Sequence, residues 1–158
     1  MFKFFNKKVT SLHAPTHCEV IPMEDVPDQV FSNKMIGDGV AFLPYDSMIK
    51  SPGDGIVMQI FPTNHAIALH INGFEILLHL GIDTVELKGK GFEAFVQEGQ
   101  GVKQGDPLIK MDLAYIKGQH KSTICPMIIT NMEQVKKLKG RQIREKTSSG
   151  VILEIWGS

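Results

Sequence analysis

Cysteine is scarce in this chain: only Cys18 and Cys125 are present, and they form no Cys-x-x-Cys pair. Zinc-ribbon and thioredoxin-like readings therefore lack their defining residues, and the default compartment is a reducing cytoplasm. An excess of one charge is also missing. Seventeen Lys and Arg balance 17 Asp and Glu, so the basic surplus of a nucleic-acid binder is absent. No run reaches the roughly 20 apolar residues that a transmembrane helix needs. The opening stretch, Met1 to Lys8, has three phenylalanines and three lysines but no long apolar region, which excludes a signal peptide. Two readings of it stay open: a frayed terminus, or a tip that makes peripheral membrane contact through phenylalanines in the interface and lysines on anionic headgroups.

What the chain does have is the material for one globular domain, with 158 residues of which 42% are hydrophobic. Short apolar runs rich in Val, Ile and Leu alternate with Gly, Pro and Asn turn signals. Ile56 to Phe61, Ile67 to Ile71, Phe74 to Leu80 and Val151 to Trp156 are examples. That spacing predicts an all-β fold, an antiparallel β-sandwich or barrel, with no long helix. Two short helical turns are predicted, one at Pro27 to Lys34 capped by Asp25 or Asp28, the other at Asn131 to Lys139 capped by Asn131. A faint internal echo links Gly37-Asp38-Gly39-Val40 and Ser51-Pro52 with Gly105-Asp106-Pro107-Leu108 and Cys125-Pro126, as two halves of one duplicated sandwich would. The basic run from Lys136 to Lys146 reads as a solvated face or an anion site.

Chemistry concentrates between Phe61 and Val85. Two apolar strands flank Asn72-Gly73, a strong hairpin signal, with His65 near the start of one strand and His79 near the end of the other. A two-residue turn would put His79 opposite Ala66 and send His65 to the other face. A three-residue Ile71-Asn72-Gly73 loop closed by a glycine bulge would set His65 directly across from His79, and this register is the one expected. Two facing imidazoles suit several roles. One can act as nucleophile near neutral pH and carry a phosphoryl group while the other donates to its oxygens. Thr63, two residues before His65, alternates onto the same face and can orient that ring. A zinc site and simple core packing are the other readings, although no nearby Cys completes a four-ligand zinc site.

The residues Gly73-Phe74-Glu75-Ile76-Leu77-Leu78-His79-Leu80-Gly81-Ile82-Asp83-Thr84-Val85 resemble the signature of the glucose-type IIA components of the bacterial sugar phosphotransferase system. Glu86 to Gly89, Pro62 to Ala66, Glu24 to Asp28, Met35 to Gly39, Glu98 to Asp106 and Lys121 to Asn131 extend the likeness from about residue 12 to the C-terminus. The resemblance implies a flexible segment over 1–11, a IIA domain over 12–158, a duplicated antiparallel sandwich and no cofactor. It implies that His79 takes a phosphoryl group from phosphorylated HPr and passes it to a cysteine of the IIB domain of a sugar permease. His65 would stabilise the transferring group and Thr63 would orient His65. Asp38 and Asp83 match acidic residues beside the family's site and would steer a basic partner, with Val40, Phe42, Phe61 and Ile67 as candidates for an apolar docking rim. Regulatory protein targets, a surface zinc held by His65 and His79 with a partner, and a free-standing chain are further expectations. Biotinyl and lipoyl carriers are a competing class, but Lys110-Met111-Asp112 does not give the Met-Lys-Met setting of biotinyl domains. Zinc peptidases on a related sandwich use His-x-His, which does not occur here.

Overall fold

The computed structural model describes residues 9–157; the opening stretch, Met1 to Lys8, read as a frayed terminus or a membrane-touching tip, lies outside them. The strands, in chain order, are β1 (Val9–His13), β2 (Cys18–Pro22), β3 (Asp38–Pro44), β4 (Met48–Lys50), β5 (Gly55–Ile60), β6 (Ala66–Ile71) and β7 (Phe74–His79). They continue with β8 (Phe92–Ala94), β9 (Gly101–Val102), β10 (Pro107–Met111), β11 (Cys125–Ile129), β12 (Val135–Gly140), β13 (Lys146–Thr147) and β14 (Val151–Gly157). Two short α-helices, α1 (Gln29–Ser32) and α2 (Leu113–Gly118), interrupt them. Every strand pairing is antiparallel. One sheet has the order β13-β2-β3-β11-β7-β6-β5-β9, and two three-stranded sheets, β1-β14-β12 and β4-β10-β8, complete the set without closing a barrel.

The large sheet is buried on both faces at its centre, and period-two alternation shows how. Val20, Val40, Phe42, Met127 and Ile129 point into the main core, which also holds Leu12, Ile49, Ile109 and Leu153 from the smaller sheets. The intervening residues Ile21, Ala41 and Ile128 point the other way, into a second small core with Met23, Val26, Phe31 and Ile82. Strands buried on both faces read as continuous apolar runs, and β11, Cys-Pro-Met-Ile-Ile, is buried at every position. The second core is roofed by α1 and the helical turn at Met23–Asp25. Asp28 caps α1 by accepting a hydrogen bond from the Val30 N–H at 2.9 Å, a contact typically worth about 1 kcal/mol.

Three expectations change here. Residues 9–11, read as part of a flexible segment, form the start of β1 and pair with Trp156, Ile155 and Glu154. Only Met132–Gln134 of the expected 131–139 turn is helical; Val135–Gly140 is strand because β14 offers it a ladder. Asn131 makes no side-chain cap and instead pins the hairpin tip, accepting from the Glu75 N–H at 2.9 Å and donating to the Gly73 carbonyl at 3.0 Å. The hairpin itself has the two-residue turn, with Ile71 opposite Phe74 and Ala66 opposite His79. Asn72 at φ 52° and Gly73 at φ 88° are both left-handed. That is a type I′ turn, whose twist matches the strands and makes the three-residue bulge unnecessary.

Candidate functional site

Alternation along β7 fixes where His79 goes. Phe74, Ile76 and Leu78 enter the main core, so Glu75, Leu77 and His79 share the opposite face, on the side of the second core. His79 is the last residue of the strand, so its ring lies at the sheet's end beside α1 and is only partly covered.

In the observed register a fully extended chain would carry His65 away from His79, yet the rings meet. The ladder of β6 begins only at Ala66. Before it the chain turns, with the Asn64 N–H donating to the Phe61 carbonyl at 2.7 Å and Asn64 itself at φ 56°. Alternation therefore does not extend back to His65. The His65 carbonyl accepts the Leu80 N–H at 2.7 Å, and its ring packs edge-on against His79 with centroids 5.2 Å apart and planes at 80°. The two rings therefore meet, but through a different register from the one expected.

Each imidazole has one nitrogen engaged. His79 Nδ1 lies 2.7 Å from the Gly81 carbonyl oxygen. A carbonyl only accepts, so Nδ1 carries the proton and Nε2 keeps its lone pair. His65 Nδ1 hydrogen-bonds the Thr63 hydroxyl. When that hydroxyl donates, the His65 proton sits on Nε2. Two more aromatic rings extend the pair: Phe31 lies 5.0 Å from His79, tilted by 53°, and Phe61 lies 5.8 Å from His65.

Burial disfavours the charged form of both rings. Burial pushes the pKa of His79 below the usual 6.5, opposed by the hydrogen bond to Gly81 and by the charges of Asp28 and Asp83. Burial likewise lowers His65, and the neighbouring His79 lowers it further. As pH falls below 6.5 the unfolded chain binds protons that the folded protein resists, so these two groups make the protein less stable on acidification until their own folded midpoints are passed. An NMR titration should find both rings half-protonated below pH 6.5. Replacing His65 with Gln should reduce the loss of stability between pH 7 and the depressed folded midpoints.

Asp38 accepts from the Gly39 N–H at 2.7 Å and lies 3.7 Å from Lys34, whereas Asp28 joins Asp83 in acting on His79. Asp28, one of the two caps the sequence offers for this helix, also acts on the histidine. Of the proposed docking rim, Val40, Phe42 and Ile67 are at most 1% exposed and belong to the core, because their strands are covered on that face. Phe61 stays partly exposed. The exposed apolar residues beside the site are Val30 on α1, Met35 and Ile36 just after it, and Val85 just after Asp83. Among the described residues, no group of three or more His, Cys, Asp or Glu is placed to hold a metal.

Gly81 is a point of tight fit. It sits at φ +85°, and a Cβ there would lie 2.6 Å from Thr84 Cγ2 and 2.9 Å from the Ser122 carbonyl. Gly81→Ala should cost about 1–3 kcal/mol of stability in thermal unfolding. It should also loosen the carbonyl that holds His79, seen as a weaker protected Nδ1–H signal by NMR.

The sequence profile described as phosphoenolpyruvate-dependent sugar phosphotransferase system, EIIA 1, matches residues 10–135. The chain is 46% identical over 146 residues to the PTS system glucose-specific EIICBA component of Staphylococcus saprophyticus subsp. saprophyticus, covering 92% of this chain and 21% of that protein. It therefore spans about a fifth of that relative's length. Among solved structures, glucose permease IIA from Mycoplasma capricolum superposes with a TM-score of 0.84 at 35% identity, covering 97% of this chain and 99% of the other.

Proposed function

Because this chain belongs to the EIIA 1 family of the phosphoenolpyruvate-dependent sugar phosphotransferase system, we propose that it is a glucose-type phosphoryl carrier with His79 as the phosphorylated residue. The observation that carries the assignment of roles is the edge-on pair of imidazoles whose Nδ1 atoms are both engaged, leaving two Nε2 atoms for chemistry.

The His79 Nε2 lone pair attacks the phosphorus of a phosphohistidine on HPr. A new P–N bond forms, the donor P–N bond breaks, and its electron pair returns to the donor imidazole. The Gly81 carbonyl holds His79 in the tautomer that has this lone pair. His65, with its proton on Nε2 through the Thr63 hydroxyl, donates to the equatorial oxygens as their charge grows, which is the main kind of help phosphoryl transfer needs. In the second step the thiolate of a IIB cysteine attacks the same phosphorus; a P–S bond forms and His79 recovers its electron pair. Asp28 and Asp83 steer basic partners, while Val30, Met35, Ile36 and Val85 offer the apolar contact that the buried strand residues cannot.

The test is incubation with phosphoenolpyruvate, Enzyme I and HPr, followed by intact mass and acid lability. One acid-labile phosphoryl group per chain is expected. A chain that gains none under conditions that phosphorylate HPr would refute the reading.

A further inference from the structure

Nothing in the two transfer steps accounts for the placement of Phe31. This side chain belongs to the second core and is only 7% exposed, yet its ring also packs on His79 at 5.0 Å. His79 consequently packs against two rings, His65 and Phe31. The helix that carries Phe31 has just four residues and would not persist alone. It is fixed at one end by the Asp28 cap and at the other by a closing turn, in which the Lys34 N–H donates to Phe31 and the Met35 N–H to Val30, at 2.9 and 3.0 Å. Lys34 adopts φ 57° in that turn and reaches Glu24 at 2.9 Å. Considerable local structure thus serves to hold one phenyl ring in place.

We propose that Phe31 is a positioning residue that fixes the plane of the His79 imidazole and screens its phosphorylated form from water. The inference rests on the phosphocarrier reading and deepens it. A phosphohistidine is energy-rich and is lost when water attacks phosphorus: a P–O bond forms, the P–Nε2 bond breaks, its electron pair returns to the ring, and inorganic phosphate leaves. A carrier needs this side reaction to be slow compared with delivery to the thiolate. The phenyl ring supplies a surface that makes no hydrogen bond to an incoming water and restricts the imidazole rotation that would open the bond to solvent. His65 also packs on His79 but is polar, so the screening falls to Phe31. The groups acting on the His79 ring are His65, Asp28, Asp83 and the Gly81 carbonyl, and substituting Phe31 leaves all of them in the chain.

The experiment compares wild type with Phe31→Ala, Phe31→Leu and Phe31→Tyr. Each is phosphorylated through phosphoenolpyruvate, Enzyme I and HPr, separated from them, and followed at neutral pH by intact mass and ³¹P NMR. Phe31→Leu keeps apolar bulk in the second core, so a folded variant without the ring is available even if Phe31→Ala unfolds. The expected result is full phosphorylation of wild type and Phe31→Leu. The phosphoryl half-life should be shortened about three- to tenfold in Phe31→Leu, the span of one lost aromatic contact, and restored in Phe31→Tyr. A half-life in Phe31→Leu within twofold of wild type would overturn the inference while leaving the carrier reading intact. If wild type gained no phosphoryl group, the carrier reading itself would fail.

Discussion

Replacing His79 with Gln should reduce phosphoryl acceptance from HPr below detection while the protein stays folded. Glutamine keeps an amide N–H that can donate to the Gly81 carbonyl, the partner His79 Nδ1 has at 2.7 Å. What it lacks is a nucleophilic lone pair, because an amide nitrogen's electrons are delocalised into its carbonyl. Loss of the aromatic contacts with His65 and Phe31 costs about 0.5–1.5 kcal/mol each at most, well within the margin of an ordinary domain. Intact mass after incubation with phosphoenolpyruvate, Enzyme I and HPr gives the answer, with circular dichroism to verify folding. A His79→Gln protein that still gained an acid-labile phosphoryl group would move the acceptor to another side chain and remove the basis for the assigned roles.

The second large effect is expected at His65, and it separates rate from extent. His65→Gln should reach full phosphorylation on long incubation, since the acceptor nitrogen of His79 is untouched. Transfer onward to a IIB cysteine should slow by about 10²–10³-fold, the usual consequence of removing one donor aimed at transition-state charge. Glutamine reaches about as far as the imidazole Nε2 but lacks the ring nitrogen through which Thr63 orients His65, so its N–H is not held at the same point. Rapid-quench measurement of phosphoryl transfer, with Thr63→Val beside it, gives a further check. Thr63→Val should move in the same direction by less, because His65 remains but its tautomer is no longer imposed. Unchanged transfer in His65→Gln would show that the second imidazole has no part in the step.

These results follow from features of unequal legibility in the sequence. That His65 and His79 flank a hairpin was readable because Asn72-Gly73 marks the turn, whereas the choice of His79 as carrier came from the family resemblance, since spacing left zinc binding and core packing open. The register was not, since two- and three-residue loops both accept Asn-Gly and the choice depends on backbone handedness at Asn72. His65 reached the site only because Asn64 departs from extended geometry before the ladder starts. Val40, Phe42 and Ile67 misled because a strand covered on both faces and a strand with an apolar docking face carry the same run of residues. Phe31 and Asp28 were visible as a short capped helix, but its docking against His79 is set by tertiary packing in the second core, which no local pattern encodes. The α2 helix was not read at all; its signal was Asp112, which caps it by accepting from the Tyr115 N–H.

The pairing of Val9 with Trp156 has a mechanical consequence. The two strands are antiparallel, so a pull applied to both ends of the described chain acts on neighbouring residues at one end of a single ladder. Tension then concentrates on one pair of residues at a time, the geometry of a zipper, and β1 should peel from β14 at low force. Tension along the long axis of the large sheet's strands would instead have to shear many hydrogen bonds together. Since His79 ends a strand of that larger sheet and His65 precedes its partner strand, a tug through both ends of the described chain acts on the three-stranded sheet before it reaches the two imidazoles.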